Sequence, residues 1–215
     1  MALYGILNST QIHTGNTGLD SELQCVFCAP LSIDSNTVDF VNDTVTLKRN
    51  TYRTEPQRWE IEAAISKVDA STKYLVHSVI YGKTQTSYTR MPQPIETFSF
   101  PEAIPLRASA SYARGVDVVD VYHVTMQGKL IPPGMFIQFG GHPKVYLVLE
   151  SSSSEITNTL KIFPKLVGTV ANNDTVYYGA QVSMASVFDT NTKIGIAYED
   201  GITAGISGVK IVEKL

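Results

Sequence analysis

The clearest pattern in the chain lies at residues 58–65. Trp59, Ile61, Ala63 and Ile65 alternate with Arg58, Glu60, Glu62 and Ala64. A period of two puts one set on a buried face and the other on a wet face of a β-strand. Trp59 is therefore expected to be buried. Glu60 and Glu62 fall on the solvent face, where adjacent like charges suit water, or a Lys or Arg from another chain, better than acid/base chemistry. Residues 38–47 alternate around Asn42-Asp43, which predicts a hairpin with its tip at or near that pair. Residues 69–82 have a different period. Tyr74, Leu75, Ser78 and Val79 recur at helical spacing, Asp69 or Ser71 can cap the start, and Gly82 can end it, so one helix of about three turns is predicted.

Residues 91–108 carry Pro92, Pro94, Pro101 and Pro105. Proline lacks a backbone donor, so this stretch reads as an extended linker rather than a central strand. Residues 116–126 alternate again. Two apolar runs, 135–139 and 145–149, flank Gly140-Gly141-His142-Pro143 and predict a hairpin with a tight turn, its glycines supplying positive φ. Residues 151–154, four serines, read as a polar loop, and 160–163 as a strand ending at Pro164. These strands make a small curled barrel of OB or SH3 size, burying Val118, Ile137, Phe139, Val145, Leu147 and Leu160 together. Residues 175–187, 193–197 and 209–212 are further strand candidates, with a turn at Glu199-Asp200-Gly201. The total is about ten strands and one helix. The expected fold is mainly β. A β-sandwich or barrel-like outer domain with one helix spans residues 1–112 and 173–215, and a small barrel at 113–172 is inserted in it.

Composition narrows the function. Only 17% of the 215 residues are charged, 43% are hydrophobic, and the net charge is −3. Interface cores are depleted in charge, so this balance leans towards an assembly subunit. No basic stripe occurs, and Lys48-Arg49 is the longest basic run, which speaks against nucleic-acid binding through phosphates. No apolar run is long enough to cross a membrane as a helix. Residues 1–10 lack the features of a signal peptide, so assembly in a cytoplasm is expected.

The search for chemistry returns little. Cys25 and Cys28 form a lone C-x-x-C. A zinc site needs two more ligands, and His13, His77, His123 and His142 do not supply them at matching spacing. A redox pair would need a βαβ context, so packed thiols are expected. Gly140-Gly141-His142 is followed by a strand instead of a helix, unlike a phosphate loop, and His142 can cap the turn through a backbone hydrogen bond. Neither G-x-S-x-G nor H-E-x-x-H occurs. Asp117 and Asp120, three apart in a strand, lie on opposite faces. Tyr177, Tyr178 and Tyr198 could form a sugar-binding face, but core or interface packing is the stronger reading. No catalytic residue, cofactor or metal is therefore expected. Trp59, Gly140, Gly141, His142 and Tyr146 are the structural or interface candidates.

Several segments, in order, resemble a family. Gln57-Arg58-Trp59-Glu60-Ile61 is similar to a strand of many phage tail proteins, where a helix and a short segment like Met91-Pro92-Gln93 follow. The stretch from Pro133-Gly134-Met135 through His142-Pro143-Lys144-Val145-Tyr146 resembles their hairpin, although an acidic residue usual at its start is absent. Pro164-Lys165-Leu166 and the ending from Tyr198 to Glu213 extend the likeness over most of the chain from residue 55 onward. The resemblance implies a structural virion protein of a contractile-phage tail, in the baseplate hub or the tube-initiating ring at the distal end of the tube. It implies no catalytic residues. The expected partners are further copies of the chain in a ring, a hexamer, and other tail or baseplate proteins, with no sequence-specific nucleic-acid contact and no membrane. The expected location is the virion tail. A head–tail neck protein and a carbohydrate-binding module of a tail fibre are the alternatives.

Overall fold

The structure is a computed structural model and describes residues 6–8, 25–43, 49–66, 87–91, 106–122, 130–154, 156–189, 195–199 and 202–214. Strands make up most of the described residues, so the chain is mainly β. The strands are β1 (Ile6–Asn8), β2 (Cys25–Asp43), β3 (Arg49–Ser66), β4 (Ser87–Arg90), β5 (Leu106–Ala108), β6 (Val118–Tyr122), β7 (Phe136–Phe139), β8 (Val145–Ser154), β9 (Thr157–Phe163), β10 (Thr175–Tyr178), β11 (Ser183–Phe188), β12 (Gly195–Glu199) and β13 (Ile202–Glu213). Among the described residues the only helix is a 3-10 turn at Gly179–Gln181. The helix expected at residues 69–82 lies outside the described residues, as do Val45, Leu47 and the side chains of Cys25, Cys28 and Tyr198.

The strands form two bodies. One is a seven-stranded sheet in the order β11-β4-β1-β2-β3-β13-β12. An additional β11–β13 pairing, Ser186 to Phe188 against Glu213 to Ile211, curls this sheet back on itself. The other is a closed barrel, β10-β5-β6-β9-β8-β7. Its first and last strands, β5 and β10, lie outside the 113–172 stretch expected for a barrel. β5 also falls within the expected linker. It begins just after Pro105, where a missing donor costs the ladder nothing, and its buried–exposed–buried pattern aims Leu106 and Ala108 at the barrel core.

Period-two geometry sorts the barrel side chains. Ile137, Phe139, Tyr146, Val148, Leu160, Ile162, Val176 and Tyr178 point inward. Val145 and Leu147 belong instead to the cluster around Trp59, and Val118 is exposed at 45%. The sequence-based grouping of Val118, Val145 and Leu147 with Ile137, Phe139 and Leu160 is thus corrected, because neighbouring positions on a strand face opposite ways. All of β7 is buried. The sheet covers the outer side of that wall, so β7 and the start of β8 read as apolar runs without alternation. The four serines are no loop. They extend β8 and pair with Leu160 to Thr157 of β9.

The β2–β3 hairpin is long and outruns the sheet. β13 pairs with β3 from Ser66 only as far as Glu60, whereas β2 stays paired with β3 to Asp43 and Arg49. Over residues 49–56, β3 has only β2 beside it among the described residues, because Gln57 and Trp59 already bond to Lys144 and Glu213. This ribbon extends roughly 25 Å, at about 3.3 Å per residue. Its register sets Asp39 opposite Arg53 and Asp43 opposite Arg49.

The turn between β7 and β8 leaves little room for a side chain. Gly140 and Gly141 do not take positive φ, which occurs at Gly115, Gly134, Gly179 and Gly208. A Cβ at Gly140 would sit 3.1 Å from Asp174 Oδ1, and one at Gly141 would sit 3.0 Å from Asp174 Oδ2. The Gly141 amide donates to that same oxygen at 3.1 Å. A Gly141→Ala substitution should therefore cost about 1–3 kcal/mol by overpacking. In an Asp174→Ala background the added cost should shrink, as read by urea unfolding. Equal costs in both backgrounds would contradict this account.

Candidate functional site

The sheet and the barrel meet at a buried polar knot. Lys144, on the barrel just before β8, and Glu213, at the end of β13, each have side chains only 1% exposed and form an ion pair. Lys144 Nζ also donates to the Gln57 carbonyl at 2.8 Å. The Glu213 carboxylate accepts the Trp59 amide at 3.0 Å and the Val145 amide at 3.2 Å. The Trp59 indole N–H donates to the Val145 carbonyl at 2.9 Å. Every bond in this set except the Glu213–Trp59 bond joins a barrel residue to a sheet residue. Gln138 of β7 and Ser183 of β11 extend the polar layer, with the Ser183 amide donating to Gln138 Oε1 at 3.4 Å.

Apolar packing surrounds the knot. Trp59 is 4% exposed and meets Phe136 and Phe163 edge-on, with centroids 5.4 and 6.2 Å apart. Ile61, Met184, Phe188 and Ile211 from the sheet share the cluster with Phe136 and Val145 from the barrel. Burial pushes the Lys144 ammonium down from its ordinary pKa and the Glu213 carboxyl up, and the attraction between the two opposes both shifts. Such a pair contributes little net stability, because desolvation offsets the attraction. Removing one partner is costly, because the other is left buried and unpaired.

The expected structural candidates divide into two groups. Trp59 sits in the junction. Phe139, His142 and Tyr146 gather at one end of the barrel, with His142 and Tyr146 ring centroids 5.6 Å apart, and Gly140 and Gly141 lie in the turn beside them. Tyr146 is wholly buried, its hydroxyl accepts the Val167 amide at 3.2 Å, and burial raises its pKa. His142 caps the turn through its main chain, with its amide donating to the Phe139 carbonyl at 3.3 Å. Both ring nitrogens are buried without a hydrogen-bond partner, so burial lowers its pKa while Asp174 opposes the shift. The cleft nearby, lined by Ser111, Tyr112, Gly141, Thr169, Val170 and Asp174, is open and mainly apolar.

Glu60 departs from its expected wet position. It is 6% exposed, while Glu62 is exposed. Lys210 of the same chain meets it at 2.9 Å, Arg58 Nε donates at 2.8 Å and Asn36 donates at 2.8 Å. Neither water nor another chain supplies its partners: Lys210 of β13 and Arg58 of β3 provide the cations. Burial on its own would raise the Glu60 pKa. The hydrogen bonds from Lys210, Asn36 and Arg58 outweigh it and hold the group at about 2.

Lys144, Glu213 and Asp174 were not singled out as functional from the sequence. A charge inside an apolar run, as in Lys144-Val145-Tyr146 and Val212-Glu213, is the one local sign of such a pair. Its partner, far away in the chain, cannot be read from that sign. No protein-family model matches the chain, and no curated protein matches it.

Two predictions come from this geometry. Lys144→Met should destabilise the protein by about 3–5 kcal/mol, the range for breaking a buried pair. Adding Glu213→Gln should restore more than half of that loss in denaturant unfolding, because the amide removes the stranded charge and keeps an acceptor. Additive losses would contradict the pairing. The Glu60 contribution to stability should be complete above its ordinary pKa near 4.5 and be lost as pH falls towards about 2. Carboxyl NMR should place its midpoint near 2, and Lys210→Met should move the midpoint up.

Proposed function

We propose that this chain is a structural subunit of a phage tail, part of the baseplate hub or of the tube-initiating ring at the distal end of the tail tube. It assembles with copies of itself in a six-membered ring and with neighbouring tail proteins, in the virion. The observation that carries this reading is the β2–β3 ribbon. A two-stranded hairpin is at best marginally stable in water, so a ribbon of this length suits a subunit whose arm lies on a neighbour. The ordered resemblance from residue 55 onward supports the same reading, as does a composition low in charge.

A neck protein would share the ring but sit at the other end of the tail. The carbohydrate-binding alternative loses one of its tyrosines, because Tyr178 is 2% exposed and packs inside the barrel. The deciding experiment is imaging of intact particles carrying a tag on this chain. Label at the distal end of the tube is expected. Label at the neck would support the alternative, and unlabelled particles would count against any virion role.

A further inference from the structure

Two strands carry exposed edges of similar length, six residues on β2 and, on β8, the bulged Leu149 followed by five residues in regular register. On β8, residues 149–154 pair with β9 on one side only, because the bonds towards β7 stop at Val148, whose amide and carbonyl meet Met135 and Gly134. Leu149, Glu150, Ser152, Ser153 and Ser154 are exposed. On β2, residues 32–37 pair with β3 on one side only, while β1 reaches no further along β2 than Cys25 and Val26. Ser32, Asp34, Ser35 and Asn36 are exposed there. Both statements concern the described residues.

An unpaired edge is a template for another strand, and proteins ordinarily guard such edges with Lys, Pro or inward charges. Neither stretch holds a Lys or a Pro. The one charge at the β8 edge, Glu150, is tied to Lys161 at 2.7 Å. The serines are small enough to let another backbone approach. Bulges set the limits of both stretches, between Val148 and Glu150 on β8 and at Cys28/Ser32 and Thr37/Asp39 on β2. Each stretch is thus a short, regular, weakly charged edge.

We infer that these two edges are the two halves of one contact: the β2 edge at residues 32–37 of one copy adds as a strand to the β8 edge at residues 149–154 of a second copy. The inference rests on the ring assembly proposed above and names the surfaces that form it. A closed ring requires head-to-tail contacts between two different surfaces, and these edges lie on different bodies of the protomer. Main-chain hydrogen bonds along the added strand supply the affinity. In the antiparallel alignment Asp34 faces Ser152, Ser35 faces Ser151 and Asn36 faces Glu150, so no like charges oppose each other. The β2 edge lies at the root of the ribbon, so a neighbour seated there also lies alongside the projecting arm.

The test is disulfide trapping in a Cys25→Ser, Cys28→Ser background. Facing positions on paired antiparallel strands have Cα atoms about 4.5–5.5 Å apart, within the Cα separation that a disulfide spans. One protein carries Asp34→Cys and a second carries Ser152→Cys, both at exposed positions. Mixed and mildly oxidised at a concentration where native mass spectrometry shows rings, they should give a 34–152 cross-link at least tenfold above the homodimer formed by either alone. In the unsubstituted chain, ring formation should add hydrogen-exchange protection at residues 32–37 and 149–154. Rings without this cross-link and without added protection would overturn the inference and leave the ring reading standing. A cross-link between two copies of the Ser152→Cys protein would show a two-fold β8 contact and also overturn it. A chain that stays monomeric and uncross-linked at every concentration would remove both.

Discussion

The architecture depends on one contact, the buried meeting of Lys144 and Glu213 beside Trp59. The barrel has its own apolar interior, and the apolar cluster of the curled sheet takes in two residues of the barrel. Phe136 and Val145 face out of the barrel and into the cluster around Trp59. This arrangement needs Val145 in register with Trp59, and the polar knot sets that register. Glu213 holds the amides of both residues, and the indole returns a bond to the Val145 carbonyl. An unpaired buried ion would add to the cost of any slipped arrangement.

The same constraint explains why the chain departs from simple patterns where it does. A barrel alone would show alternation on every strand. β9 and β10 show it, with buried positions at every second residue. β7 and the start of β8 do not, because their outer sides are covered by the sheet. Close approach also governs the β7–β8 turn, where Asp174 occupies the space that side chains at Gly140 and Gly141 would need.

Legibility in the sequence follows from how local each cause is. The Trp59 strand and the mainly β class rest on period-two patterning within a few residues, and the β7–β8 hairpin rests on two apolar runs about a glycine-rich turn, so all three are legible locally. The four serines were misread because polar composition suggests a loop, whereas their ladder to Thr157–Leu160 depends on a facing strand. Glu60 was misread for a similar reason. Alternation with Trp59 marks its face, but Asn36, Arg58 and Lys210, drawn from three strands, cover its carboxylate. The Lys144–Glu213 pair spans two bodies and far-separated parts of the chain, so no window of sequence contains it.

Native-state hydrogen exchange in increasing denaturant tests most directly whether the knot makes one unit of two bodies. Amides of β3 at residues 57–66 and of the barrel hairpin at residues 136–148 should converge on a single opening free energy and a single denaturant dependence, as members of one cooperative unit do. Two separate isotherms, with the hairpin opening while β3 stays protected, would show that the junction only joins two independent folds and would contradict this account.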